Sequence, residues 1–357
     1  MIVMNKEQIL KSVLTVGCGY NPPRGGIAHV IYYYDKYIYN KFKFLRVSDR
    51  TNRFNNFFIF IYSLLKYFFL LLFDRNIKII HIHTASSISF VRSTLFLRIG
   101  HFFKKKVIMH IHGGGFRNYY FGHKKFVEKN LQRCDYVFTL SVEWLHFYRT
   151  LGLKRIKIIE NIIPYPEYFQ IKTSNDRLHI LFIGLIHERK GVFDLLEMLR
   201  DHSSYYKDKI YLHIGGNGET QLLKERIKKF GLSSFVKFEG WVDEDKKVEL
   251  MNLCKVLVLP SYVEGLPLSI LEAMSYNMAI VSTRVGGIPS AVKHNKNGLL
   301  IQPGYTSELH NSLKMLVEDE ELLNSMCQKS TESIERFYPM NVEKKLFRIY
   351  KSLLLQK

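Results

Sequence analysis

The sequence predicts an α/β protein: two Rossmann-like domains, each with a parallel sheet, facing across a cleft. Three observations carry this. Short apolar runs ending in Gly, Asn, Ser or His alternate with helical stretches, the pattern of strands buried on both faces. The alternation occurs twice, and the break at Asn161-Ile162-Ile163-Pro164-Tyr165-Pro166 reads as an interdomain linker. The 357 residues suffice for two domains of ordinary size. The expected division is 1–163, then 164–335, then a closing helix at 336–357 that packs back on the first domain.

In the first half, strands are expected at 12–17, 77–83, 106–112, 136–141 and 156–160. Helices are expected at 27–39, 57–73 and 142–151. In the second half, strands are expected at 178–184, 210–215, 236–239, 256–259, 279–282 and 298–301, with helices at 192–200, 220–229, 244–253 and 267–274. Helical stretches from 306 close the chain.

Hydrophobic residues make up 47% and charged residues 24%, the mix of a folded chain rather than a disordered one. The four cysteines are widely spaced with no C-x-x-C, and residues 1–8 carry no signal-peptide apolar core. Both features fit a cytoplasmic protein with reduced thiols. The net charge of +20 is lopsided. Residues 1–163 hold 26 Lys and Arg against 8 Asp and Glu, a net +18, whereas the remainder is near neutral. Such asymmetry points the first half at an anionic surface, either nucleic acid or anionic lipid. No nucleic-acid-binding signature accompanies the charge, so no nucleic-acid partner is expected. Residues 54–73 have the length of a membrane span. Lys66 would sit mid-bilayer at a cost of roughly 3 kcal/mol, so a buried or surface-dipping helix is expected instead.

The most informative segment is Glu264-Gly265-Leu266-Pro267-Leu268-Ser269-Ile270-Leu271-Glu272. It follows the short apolar run 256–259, and Pro267 opens a helix. Glu264 therefore lies in a strand-to-helix loop at the carboxyl end of a strand, where open α/β sheets bind ligands. Glu272 is expected about two turns into the helix. Residues 184–191, Gly-Leu-Ile-His-Glu-Arg-Lys-Gly, end another strand, and Arg189 and Lys190 before a helix start suit a diphosphate. Gly215-Gly216-Asn217-Gly218 is a tight turn after a third strand. In the first half, Asn21-Pro22-Pro23-Arg24-Gly25-Gly26 links strand to helix, and its glycines permit close ligand approach. Asp243-Glu244-Asp245 has the form of a metal-binding Asp-x-Asp but reads as a helix cap with an acidic first turn. His81, His83, His110 and His112 lie at adjacent strand ends. Four histidines there have the ligand type for zinc, but no Cys or acidic neighbour supports it, and no metal is expected.

The stretch from Val256 to Pro289 resembles the nucleotide-sugar site of retaining GT-B glycosyltransferases of family 4, the glycosyl transferases group 1, of the bacterial polysaccharide-assembly type. The resemblance implies roles for particular residues. Glu264 and His112 are the catalytic residues: Glu264 orients donor hydroxyls and His112 lines the donor sugar. Arg189, Lys190, Gly215, Gly218, Trp241, Gly265, Leu266 and Glu272 bind the donor, with Glu272 on the ribose. Gly25, Gly26 and Arg92 form the acceptor and phosphate side. Three departures stand out: Leu185 where the family often has Arg, Asn277 where Gly is usual, and Ser290 where Glu is frequent.

The resemblance implies a metal-independent transfer of sugar from a nucleoside-diphosphate donor to a growing, lipid-linked bacterial surface glycan such as capsule or lipopolysaccharide. The implied setting is peripheral, on the inner face of the cytoplasmic membrane, without a cofactor. Three alternatives stay open: a GT-B-fold nucleotide-sugar epimerase or phosphorylase, a glycosidase-like use of the two glutamates, and a basic nucleic-acid-binding protein.

Overall fold

The computed structural model describes residues 5–23, 25–39, 42–49, 53–166 and 177–356. Arg24 and residues 1–4 lie outside the described residues. The chain divides into two compact units, Met1–Pro164 with Phe337–Lys357, and Tyr165–Arg336.

The first unit holds β1 (Val13–Cys18), β2 (Lys43–Ser48), β3 (Ile79–Thr84), β4 (Lys106–Ile111), β5 (Tyr136–Thr139) and β6 (Ile156–Ile158). All pair in parallel, in the order β2-β1-β3-β4-β5-β6. The central strands are buried on both faces, and their sequences are apolar apart from His81, His83 and Thr84 in β3 and Lys106 and His110 in β4. β2 is a correction, because no strand is expected there from sequence. It is an edge strand carrying Lys43 and Arg46, and an edge needs apolar contact on fewer sides. The expected helix at 27–39 is also modified. It is α-helical over Gly26–Tyr33 and continues as a π-helix over Tyr34–Tyr39. The long helix Arg53–Phe73 is not core: Phe57, Phe58, Tyr62, Leu65, Phe69 and Phe73 are all exposed. The last helix, Pro339–Leu355, belongs to this unit. Lys345 pairs with Glu160 at 2.9 Å, and the Tyr350 hydroxyl bonds Tyr39 and His81.

The second unit holds β7 (Leu178–Ile183), β8 (Ile210–Gly215), β9 (Val236–Gly240), β10 (Val256–Leu259), β11 (Ala279–Thr283) and β12 (Gly298–Ile301). The parallel order is β12-β11-β10-β7-β8-β9. The chain builds β8 and β9 outward from one side of β7. It then returns to place β10 on the other side and continues to β12. Strand order reverses between β7 and β10, and ligands bind in the crevice beyond the carboxyl ends at such a point. In the first unit the corresponding reversal falls between β1 and β3.

Candidate active site

The two loops at the β7/β10 switch point are 184–191 and 260–267. They carry Lys190 and Glu264, 74 positions apart in sequence, and the fold brings them into contact. Lys190 Nζ lies 2.5 Å from Glu264 Oε1, and Ser261 Oγ donates to the same oxygen at 2.8 Å. Glu264 is only 8% exposed, so this is a sheltered carboxylate held by a cation and a hydroxyl. Lys190 has three N–H donors and spends one here.

Backbone packing fixes both loops. Gly191 takes φ +69°, and a Cβ there would meet the Pro260 carbonyl at 2.1 Å. Tyr262 N–H donates to the Arg189 carbonyl at 2.9 Å. From the other side, Gly286 at φ +55° brings its α-carbon so close that a Cβ would lie 1.8 Å from the Glu264 carbonyl. Gly287 N–H donates to the Gly265 carbonyl at 2.6 Å. Only glycine permits these approaches. Gly265 and Leu266 are buried under this clamp. Gly215 and Gly218 wall the same region: Gly184 N–H bonds the Gly215 carbonyl at 3.0 Å, and Gly218 bridges to Ile186.

Glu272 falls on the helix Leu268–Ser275, which starts one residue later than the sequence suggests. It is the fifth residue, a little over one turn in rather than two. Its carboxylate is 8% exposed and accepts from Lys247 Nζ at 3.1 Å. Burial alone would depress the Lys247 ammonium, but Glu272 and Glu244 outweigh it and hold the group above its ordinary range. The partnership was missed from sequence, where Lys247 is only one of two cations after an acidic run. Asp243 caps the helix Glu244–Leu253 by accepting from Lys246 N–H at 2.9 Å. Arg189 is not gathered into the cluster, since its side chain is exposed and its backbone carries the contacts. Trp241 is 57% exposed, just beyond β9. Asn277 adopts φ +57°, a conformation asparagine tolerates better than most residues, which explains how it replaces a glycine.

In the first unit, Gly25 takes φ +96° and precedes the helix Gly26–Tyr33. A Cβ on Gly26 would meet no described atom within 4 Å, so packing does not demand that glycine. His112, at the end of β4, stacks on His83 with Nε2 2.9 Å from His83 Nδ1. His81 Nε2 lies 3.3 Å from His110 Nδ1, and His110 Nε2 lies 3.2 Å from the Ile159 carbonyl. Ring atoms of His81, His83 and His110 fall within 4.8 Å of one another. Most of these nitrogens engage one another, Tyr350 and backbone, while His83 Nε2 is buried without a hydrogen-bond partner among the described residues. Burial, reinforced by the neighbouring imidazoles, drives His81, His83 and His110 well below the usual histidine range. Burial pulls His112 down to about 3, against the side chain of Asn161. All four are neutral at pH 7. Arg92 sits half-buried a little over one turn into the helix Ile88–Phe102, 6.0 Å from the Phe60 ring.

Residues 165–333 match the family described as Glycosyl transferases group 1. The match spans most of the second unit, Tyr165–Arg336. Two curated relatives show how far the likeness extends. An uncharacterised glycosyltransferase of Methanocaldococcus jannaschii is 27% identical over 248 residues, 62% of this chain and 61% of that one. The N,N'-diacetylbacillosaminyl-diphospho-undecaprenol alpha-1,3-N-acetylgalactosaminyltransferase of Campylobacter jejuni is 24% identical over 244 residues, 63% of this chain and 64% of that one. The chain thus spans less than two thirds of the length of these curated relatives. Among solved structures, Anabaena HepE in complex with UDP and glucose superposes with a TM-score of 0.77 at 17% identity, covering 96% of this chain and 99% of that one. The architecture is the GT-B fold, and the Lys190–Glu264 pair lies within the residues that match group 1.

Proposed function

We propose that the protein is a retaining, metal-independent glycosyltransferase of family 4. It moves a sugar from a nucleoside-diphosphate donor to a lipid-linked glycan in bacterial surface polysaccharide assembly, such as capsule or lipopolysaccharide. It works in the cytoplasm at the inner face of the membrane. The observation that carries this reading is the Lys190–Glu264–Ser261 cluster at the β7/β10 switch point, within the residues that match group 1. When the bond from sugar C1 to the diphosphate oxygen breaks, the electron pair and negative charge go to the diphosphate. Lys190 faces that charge with its remaining N–H donors, and the helix Val192–Asp201 adds the positive end of its dipole. Among the described residues, the side-chain bonds to Glu264 both fall on Oε1, which leaves Oε2 to accept donor hydroxyls. Each of the two glutamates has its own lysine, an arrangement that supports donor binding over a pair of facing acids.

A thermal-shift panel of nucleoside diphosphates and their sugars tests the donor. A cognate donor raises the melting temperature by mass action. Lys190→Ala should weaken the response about tenfold or more in apparent affinity, the scale of a charged hydrogen bond. Unchanged affinity would remove Lys190 from the diphosphate site. Conversion of the donor sugar without any acceptor would favour an epimerase instead.

Transfer is expected to survive EDTA. The Asp243 carboxylate is committed to capping a helix, and Lys190 supplies charge where a cation would otherwise be needed. Loss of turnover on chelation, restored by Mg²⁺ or Mn²⁺, would assign a metal-held diphosphate.

A further inference from the structure

The outer face of a surface helix is ordinarily polar. In the first unit the helix Arg53–Phe73 breaks that rule. Its inner stripe is locked into the fold: the Tyr67 hydroxyl donates to the Phe96 carbonyl at 3.0 Å, Asn56 Oδ1 accepts from Asp49 N–H at 2.7 Å, and Ser63 and Leu71 are buried. Its outer stripe is aromatic and aliphatic, with Phe57 at 58% and Phe69 at 54% exposure. The helix Ile88–Phe102 lies alongside it, joined by the Tyr67–Phe96 and Phe60–Phe96 ring contacts at 5.1 and 6.0 Å. It adds Ile88, Val91, Leu95 and Phe102 to the exposed apolar surface. Soluble proteins rarely leave a contiguous apolar area of this kind uncovered.

Charge decides what covers it. From Arg53 to Lys105 there are eight Lys and Arg against a single acid, Asp74, and Asp74 is already bound to Lys43. A second copy of this chain would oppose one strongly basic surface with another. An anionic bilayer offers apolar acyl chains and negative phosphates together. Lys66 stands on the exposed stripe, and its long stem lets the ammonium reach the headgroups. Arg92 is the second pointer. Its Nε is buried and without a hydrogen-bond partner among the described residues, on a helix whose neighbours Ile88, Val91 and Leu95 face outward. A guanidinium so placed lacks an anion, and phosphate is the ligand its planar fork matches.

The helix Phe54–Phe73 is also long and apolar enough to cross a membrane. Its inner stripe argues against crossing, because leaving the unit would break the Tyr67 and Asn56 bonds and strip the β2 side of the sheet. We propose that the outer faces of the helices Arg53–Phe73 and Ile88–Phe102 form one seat lying in the plane of an anionic bilayer, with Arg92 taking a lipid phosphate. This deepens the membrane placement proposed above and does not depend on the transfer chemistry.

The test is co-sedimentation of the full chain with phosphatidylcholine vesicles, with and without phosphatidylglycerol, at low and high salt. The wild type should pellet with phosphatidylglycerol vesicles and be released by salt. Phe57→Ser/Phe69→Ser should keep the melting temperature, because both rings are exposed, and lose about tenfold or more in partitioning. Arg92→Gln should lower partitioning several-fold on anionic vesicles only. Equal partitioning of wild type and double variant would overturn the seat, as would a wild-type dimer in light scattering that the double variant dissolves. Anionic binding by Arg92→Gln equal to wild type would remove the phosphate role. Nucleoside-diphosphate thermal shifts are read in parallel, so a failure of the donor reading is seen separately from a failure of the seat.

Discussion

Glu264→Gln should lower kcat/KM for sugar transfer by about a hundredfold while affinity for the free nucleoside diphosphate stays level or rises. The substitution keeps size and one acceptor oxygen but removes the charge. Charged hydrogen bonds contribute roughly 1.5–3 kcal/mol, and each 1.4 kcal/mol is a tenfold change in rate. The loss falls on kcat because the carboxylate is assigned to sugar hydroxyls, whereas the diphosphate is held by Lys190. Freed from its partner at 2.5 Å, Lys190 has one more donor for phosphate. The stability cost is about 1 kcal/mol, a few degrees for a unit of this size, since Lys190 keeps partial solvent access. Wild-type turnover in this variant would remove Glu264 from the reaction. Loss of nucleotide affinity with turnover unchanged would move Glu264 to a purely structural clamp on Lys190.

The fold was legible because strands buried on both faces write themselves as apolar runs. All six strands of the second sheet were placed from sequence, within about a residue of the observed bounds. β2 was not, since an edge strand with Lys43 and Arg46 carries no such run. The site was only half legible. The sequence names Lys190 and Glu264 as chemistry-bearing residues in loops after strands. It does not say that those loops adjoin, because adjacency follows from strand order, and runs of apolar residues say nothing about order. The return of the chain from β9 to β10 beside β7 creates the contact. The same limit hid the Lys247–Glu272 pair. The helix at 53–73 shows a further limit. Apolar nearly all round, it reads as core or as surface-dipping, and only the packing of Tyr67 and Leu71 reveals which stripe faces inward.

Packing also determines how the first unit responds to acid. Four histidines are stacked in its interior, and burial holds every one of them neutral in the folded state. In the unfolded chain they titrate near the ordinary histidine value of about 6.5. Above that pH neither state binds protons at these sites, and they leave stability unchanged. Below it the unfolded chain takes up protons that the folded unit refuses, so stability falls with pH until the depressed folded values are reached. Each histidine contributes a slope of about 1.4 kcal/mol per pH unit, and four approach roughly 5 kcal/mol per unit. Between pH 6.5 and pH 5 the four together remove about 8 kcal/mol, against a typical domain stability of about 5–15 kcal/mol, so the first unit should lose much of its stability by about pH 5. Urea melts at pH 7.5, 6.5, 5.5 and 5.0 measure this directly. His110→Phe should flatten the slope by about a quarter whatever it does to stability at pH 7.5, because it removes one titrating group in the unfolded state. The slope is the informative readout, since a repacked ring shifts all pH values alike. A midpoint independent of pH from 7.5 to 5.0 would mean that the stack accepts protons within the fold, with Tyr350 and the Ile159 carbonyl as the hydrogen-bond partners able to accommodate them.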